Sequence, residues 1–340
     1  MQKIVDAISD ASKKFSLKTN IKKTEVCRVV SCRVVSCRVV SCGMLELWPT
    51  YASAHNNLGT QLRDQAEAER HYRKAIFIND RHANAHFNLG VLLSNRGDKI
   101  AALESLRVAL TLDKDSSAVH RAMANVLADL GLVSEAKSHH QRALELSPGD
   151  AECRTNFGIF LSNTGHTEEA LKILQEAYTL DPTSHIALRN AAKTLRLSGN
   201  NREAEQLYLR ALNLSRDAVT LDLAGVFYFN TQRSHTALQL FSEATRKDPS
   251  KPELLLHHAQ VLSVYRRFAE AEEQLQTALR LNPGFIDALH QLANIYGERK
   301  LHQWAIQLMK RAIGQTSDHW TLATLYSDLA KQQKGQRSAG

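Results

Sequence analysis

The chain has 340 residues, 43% hydrophobic but only 6% aromatic, with 43 Lys+Arg against 35 Asp+Glu. That length suits an extended helical array and gives no sign of two globular domains. The formal charge of +8 sits at the ends: residues 1–43 hold nine basic and three acidic residues, residues 331–340 add three basic ones, and the stretch between is balanced at 31 and 32. A nucleic-acid binder concentrates basic charge on its folded part, so no nucleic-acid partner is expected. No apolar run reaches the roughly 18 residues that a membrane helix needs, so no membrane span is predicted. The opening stretch, 1–26, alternates lysines with short apolar groups and lacks the apolar core of a signal peptide.

In chain order, residues 1–43 read as non-repeat sequence, expected to be disordered apart from a short helix over 3–15, where Ile4, Ile8, Ala11 and Phe15 share a face. The pentapeptide CRVVS occurs three times there and places Cys27, Cys32, Cys37 and Cys42 five apart. Five-residue spacing turns successive thiols away from one another on a helix and onto opposite faces of a strand. It also lacks the tight knuckle of a zinc site. We read the run as a duplication artefact, with no metal and no disulfide. Residues 44–51 then read as the last eight residues of an upstream repeat.

From residue 52 a 34-residue period takes over. Gly97, Gly131, Gly165 and Gly199 each stand five residues before an alanine: Ala102, Ala136, Ala170 and Ala204. Small residues recur on a first helix (Gly59, Gly90, Ala124, Gly158, Ala192, Gly225, Ala259, Ala293), and alanines seven apart recur on a second. Pro148, Pro182, Pro249 and Pro283 close several units. This is the pattern of the tetratricopeptide repeat (TPR), a helix-turn-helix unit that stacks into a solenoid. The predicted fold is all-α: a right-handed superhelix of eight helix pairs over 52–319, a capping helix over 320–332 and a polar tail over 333–340. The first unit is three residues short and the fifth one residue short; both deletions are assigned to turns.

Such a fold makes binding the default function. No nucleophile with a base partner, phosphate-cradling loop or paired acids stands out, so no catalytic residue and no cofactor is predicted. The 15 histidines, among them His55, His86 and His120 at the fourth position of their repeats, read as packing or surface residues, and Cys153 as a small packed one. The concave wall of the array is built from first helices. Arg121, Asn125, Asn156, Arg189, Asn190 and Lys193 fall on groove-facing positions there, and pairs four apart share a helix face. The set resembles the carboxylate clamp of co-chaperone TPR domains, with arginine suited to a bidentate carboxylate. Asn57, Asn88, Asn156 and Asn190 each stand two places before the small residue of their repeat. That row resembles the asparagine ladder of O-linked N-acetylglucosamine transferase, and such amides can bond an extended peptide's backbone. A generic polar groove and local helix packing remain the alternative for both sets. Asn213-Leu214-Ser215 is a candidate N-glycosylation acceptor at Asn213.

The short first repeat NNLGTQLRDQAEAERHYRKAI, with AHFNLGVLL, NFGIFLSNTG, GNNREAEQLYLRAL, AGVFYFNTQRSHTALQLFSEA and LLLHHAQVLSVYRRFAEAEE after it, resembles the transmembrane-and-TPR protein O-mannosyltransferases (TMTC), most closely the first subtype. The resemblance covers about residues 44–332. It implies the repeat portion of an endoplasmic-reticulum enzyme that mannosylates cadherin-type proteins from dolichyl-phosphate mannose. The membrane region that carries that chemistry has no counterpart here, so the chain alone is expected not to be an enzyme and to be a fragment, alternative product or chimeric gene product. The alternative is a free-standing soluble TPR adaptor, cytoplasmic if the chain is complete.

Overall fold

A computed structural model describes residues 50–339. The readings of residues 1–43, the cysteine run, the short helix over 3–15 and residues 44–49 lie outside the described residues. Among the described residues every regular element is an α-helix. The chain divides into two compact units, one up to Phe160 and one from Leu161. The first holds α1 (Ala52–Gln61), α2 (Gln65–Ile78), α3 (Ala83–Arg96), α4 (Lys99–Leu112), α5 (Ser117–Asp129) and α6 (Val133–Leu146). Helix α7 (Ala151–Asn163) crosses the division. The second unit holds α8 (Thr167–Leu180), α9 (His185–Leu197), α10 (Asn201–Leu214), α11 (Ala218–Asn230), α12 (Ser234–Lys247), α13 (Pro252–Val264) and α14 (Phe268–Leu281). It ends with α15 (Ile286–Glu298), α16 (His302–Ile313) and α17 (His319–Ala339). Eight helix-turn-helix units and a final helix are thus present, as the period predicts.

In the first, second and sixth repeats the two helices close on a small-against-large contact. A Cβ built on Gly59 would stand 2.6 Å from the Tyr72 ring, one on Gly90 2.7 Å from Leu106, and one on Gly225 2.7 Å from Phe241. Fully buried alanines flank these contacts: Ala75, Ala102, Ala109, Ala204, Ala211, Ala237 and Ala244. In the second unit the result is a continuous apolar core around Leu188, Tyr208, Leu221, Phe227 and Phe241. Helix α17 seals that unit's last pair by laying Leu325 and Leu329, four apart, on Leu289, Ala293, Met309 and Ala312. It continues to Ala339, past the limit of residue 332 read from the sequence.

The inter-helix turns bear out the glycine reading. Gly97, Gly131, Gly165 and Gly199 are left-handed, with φ of 95°, 77°, 84° and 84°. Each turn carries paired backbone bonds, such as Gly97 N–H to Ser94 O and Asp98 N–H to Leu93 O. The last three repeats keep the same turn without glycine: Gln232, Arg266 and Lys300 adopt φ of 65°, 56° and 61°. A side chain there costs about 1 kcal/mol or more relative to glycine.

The two deletions are absorbed differently. The one-residue deletion shortens the connection before α11 to residues 215–217, where the corresponding connections after α2, α4 and α8 have four residues. The three-residue deletion, assigned to a turn from the sequence, is taken from the helix instead. Helix α1 has 10 residues against 14 in α3. It ends at an extended Leu62, and Asp64 restarts the chain by capping α2 through the Ala66 and Glu67 amides. An early helix end needs no left-handed residue, which explains the missing glycine.

Gly225→Ala should therefore lower the stability of the second unit by about 1–3 kcal/mol, because the Phe241 ring must shift. Gly149→Ala, whose Cβ would meet nothing within 4 Å, should leave stability unchanged. Urea unfolding of both variants by circular dichroism checks the contrast.

Candidate functional site

The first unit contains an open cleft of ≈ 530 Å³ whose polar wall comes from its first helices. Helix α3 contributes Asn88, Val91 and Asn95, α5 contributes Arg121, Ala122 and Asn125, and α7 contributes Glu152 and Asn156. Asn88, Val91 and Asn95, Arg121 and Asn125, and Glu152 and Asn156 stand three to four residues apart, which is the spacing of one helix face. Tyr72 and Leu106, the large partners of the small residues, reach the cleft from behind. Four residues singled out from the sequence, Asn88, Arg121, Asn125 and Asn156, are thus brought together. Asn95 and Glu152 were missed; Asn95 stands seven after Asn88 on the same face, and Glu152 four before Asn156.

Their chemistry is not that of an anion trap. Arg121 Nη1 lies 2.5 Å from Glu152 Oε1, with the Arg121 side chain 22% exposed. Burial alone would lower the guanidinium pKa, but the Glu152 carboxylate more than offsets it and the shift is upward. The pair is a close charge contact without an aligned hydrogen bond, since Nη1 finds no acceptor in suitable geometry. Asn88 Nδ2 donates to Asn56 Oδ1 at 2.9 Å. Asn57 is exposed, and its Oδ1 accepts from Asn56 Nδ2 at 3.3 Å, so the buried Asn56 takes the place in the row expected of Asn57. The Asn125 and Asn156 amides make no hydrogen bond among the described residues and face the cleft.

Arg189, Asn190 and Lys193 belong to the second unit and do not line this cleft. Arg189 Nη1 donates to Asp217 Oδ1 at 2.8 Å and to Thr220 Oγ1 at 3.0 Å. Asn190 Nδ2 donates to Ile186 O at 2.8 Å, and Lys193 Nζ to Asn163 Oδ1 at 3.2 Å. Asp217 is the N-cap of α11 and also accepts from the Val219 and Thr220 amides. Burial would raise its carboxyl; the Thr220 hydroxyl and amide, Arg189 and the Ser215 hydroxyl outweigh that and hold it at about 2. Arg189 is thus a structural counter-ion to a cap. Asn213 is exposed in the last turn of α10, and the Ser215 hydroxyl of its sequon donates to Asp217 Oδ2 at 3.1 Å.

Stacked helix pairs closed by small-against-large contacts, with an amide-lined cleft on their first helices, define a tetratricopeptide-repeat protein. Residues 61–118 match the tetratricopeptide repeat family. Residues 150–334, more than half of the chain, match the family described as coatomer epsilon subunit, and over that stretch the chain belongs to it. Human protein O-mannosyl-transferase TMTC1 is 34% identical over 129 residues, covering 38% of this chain and 15% of that protein. Human TMTC3 is 25% identical over 263 residues, 74% of this chain and 29% of that protein. The Bacillus subtilis TPR repeat-containing protein YpiA matches at a comparable level, 23% over 258 residues, 74% of this chain and 53% of that protein. The chain thus spans about half or less of the length of these relatives. Yeast Tom70 superposes with a TM-score of 0.60 at 17% identity, over 84% of this chain and 61% of that one, which shows the fold.

The first unit also contains a histidine arrangement with its own consequence. His55 Nδ1 lies 2.9 Å from His71 Nδ1, and His120 Nδ1 lies 2.8 Å from His139 Nδ1. The separations of 16 and 19 residues differ by the deletion in the first repeat, so both pairs occupy the same two repeat positions. In the fifth and sixth repeats those positions hold Leu188 with Leu207 and Leu221 with Leu240, all core residues. His140, next to His139, is 1% exposed and stacks on Phe157 and Phe160 at 5.4 and 5.0 Å. Burial, with a smaller contribution from His139, pushes its pKa down to about 4. Burial likewise lowers His71 and His139. Groups whose folded pKa lies below the unfolded value near 6.5 bind more protons when unfolded, so their stabilising effect is complete above that value and is lost as pH falls. The first unit should lose stability between pH 6.5 and 4, by up to about 3 kcal/mol from His140 alone. His140→Leu, which installs the residue found at Leu106 and Leu275, should flatten the slope. Hydrogen exchange of α6 at pH 7 and 5 measures it.

Proposed function

We propose that the chain is a protein-binding scaffold that holds an extended peptide in the cleft of its first unit, as the recognition portion of an endoplasmic-reticulum O-mannosyltransferase-like protein. The observation that carries the binding reading is the amide wall. Asn125 and Asn156 face the cleft on successive first helices, with donors and acceptors unmet among the described residues. An amide can donate to a peptide carbonyl and accept from a peptide N–H, so it recognises backbone without regard to side chains. With Arg121 matched by Glu152, the cleft favours a backbone over a free carboxylate. Asn57 stays outside the cleft wall, while Arg189, Asn190 and Lys193 serve the second unit's own packing.

The likeness to human TMTC1 and TMTC3 supports the transferase setting, and cadherin-type proteins are the peptide source that the family resemblance implies. The match to a coatomer subunit family supports contact with other chains as the working mode. The comparable match to YpiA, by name a TPR repeat-containing protein, supports a second reading, a free-standing adaptor. Among the described residues no helix is long and apolar enough to cross a membrane, and no group of three or more His, Cys, Asp or Glu could hold a metal. The chain by itself should transfer no mannose from a lipid-linked donor. A glycan on Asn213 of the protein isolated from cells would place the repeats in the lumen and oppose the adaptor reading.

Peptides from cadherin ectodomains, titrated by fluorescence anisotropy, test the cleft. Asn125→Ala with Asn156→Ala should weaken binding about tenfold, since each lost hydrogen bond contributes about 0.5–1.5 kcal/mol. Thermal melting should not change, because neither side chain is bonded among the described residues. Equal binding by parent and variant would move recognition away from this cleft.

A further inference from the structure

The inter-helix turns of the last three repeats present a second surface, independent of the cleft. Gln232, Arg266 and Lys300 stand in the left-handed conformation that glycine supplies in the four turns at Gly97, Gly131, Gly165 and Gly199. Their backbone bonding is the same: Arg266 N–H donates to Ser263 O and Arg267 N–H to Leu262 O, and Lys300 and Leu301 repeat the pattern on Gly297 and Tyr296. Glycine would therefore serve the turn better. The retained side chains are exposed, and among the described residues those of Arg266 and Lys300 make no hydrogen bond or ion pair. The other arginines of these turns are matched: Arg233 to Glu205, Arg267 to Glu270 and Arg299 to Glu272. A strained conformation that yields nothing inside the described chain points outward.

The apolar surroundings agree. Val264 and Tyr265 directly precede Arg266 and are 58% and 43% exposed; Trp304, four after Lys300, is 61% exposed. Between the sixth and seventh turns an open cleft of ≈ 460 Å³ is lined by Gln232, Arg233, His235, Val264 and Tyr265.

We propose that this edge docks an acidic polypeptide segment that carries a large apolar side chain. The apolar side chain seats against Val264 and Tyr265, and carboxylates of the segment bond Arg266 and Lys300, the two cations of this edge left without partners among the described residues. Charge favours a peptide over an anionic membrane. A bilayer calls for a broad field of unpaired cations, whereas three of the five basic residues here already hold a carboxylate and Glu298 stands exposed beside Lys300.

The test uses the full chain, a fluorescent poly(Glu,Tyr) copolymer as probe, and vesicles of phosphatidylcholine with phosphatidylserine. The parent should bind the copolymer and not the vesicles. Arg266→Gly with Lys300→Gly should weaken copolymer binding about tenfold by removing two charge-assisted contacts, while raising the melting temperature because the strain is relieved. Tyr265→Ser should weaken binding with both cations in place. Asn125→Ala with Asn156→Ala should leave copolymer binding unchanged, which separates this edge from the cleft of the first unit. No copolymer binding by the parent, or a glycine variant that melts higher yet binds equally, would overturn the proposal. Vesicle binding without copolymer binding would make the edge a membrane surface and overturn it as well.

Discussion

Everything in this molecule hangs on how closely two helices of one repeat approach. A small residue on the first helix lies beneath a large one on the second, and there is no room for another atom at Gly59, Gly90 or Gly225. Such contact sets the interaxial distance through side-chain size. Because the same contact recurs from repeat to repeat, in the first, second and sixth, the opposite faces of successive first helices come into register. The cleft of the first unit is the consequence: Asn88, Arg121 and Asn156 are neighbours because glycines and alanines elsewhere allow their helices to repeat.

The fold was legible because its determinants are local and redundant. Small residues on the first helices, alanines on the second and glycines between them all report one period. The cleft was half legible for the same reason: position within the period predicts which face a residue occupies, as for Asn125 and Asn156. Partners that come from the following repeat were not legible. Arg189 shares a groove-facing position with Arg121, yet it is bound by Asp217. That aspartate is the N-cap of α11, a role set by the backbone it caps and not by the repeat position of Arg189. Asn56, one position before Asn57, is the residue that accepts from Asn88, a partner in the following repeat. The left-handed positions of the late repeats were missed because glycine was taken as the mark of the turn, whereas the backbone bonds maintain it under Gln232, Arg266 and Lys300.

Histidine shows how one repeat position can take opposite chemistry. In the fifth and sixth repeats the contact between the two helices is leucine on leucine, and in the first and third it is imidazole on imidazole. Neutral imidazoles tolerate the exchange because one ring donates and the other accepts. In the second unit two histidines meet acids instead: His257 reaches Asp222 at 2.7 Å and His290 reaches Asp328 at 2.9 Å. The signal for the paired rings was present in the sequence as separations of 16 and 19, but only the three-residue deletion makes them equivalent.

That deletion carries a further lesson about how such a chain can change in length. Its size is close to one turn of α-helix, about 3.6 residues. Removing it from the end of α1 leaves Gly59 and Tyr72 facing each other 13 positions apart, where Gly225 and Phe241 do so at 16. Coding sequence for an array of this kind can therefore be shortened by three codons at a helix end, by one codon in a connection, or else by a whole unit.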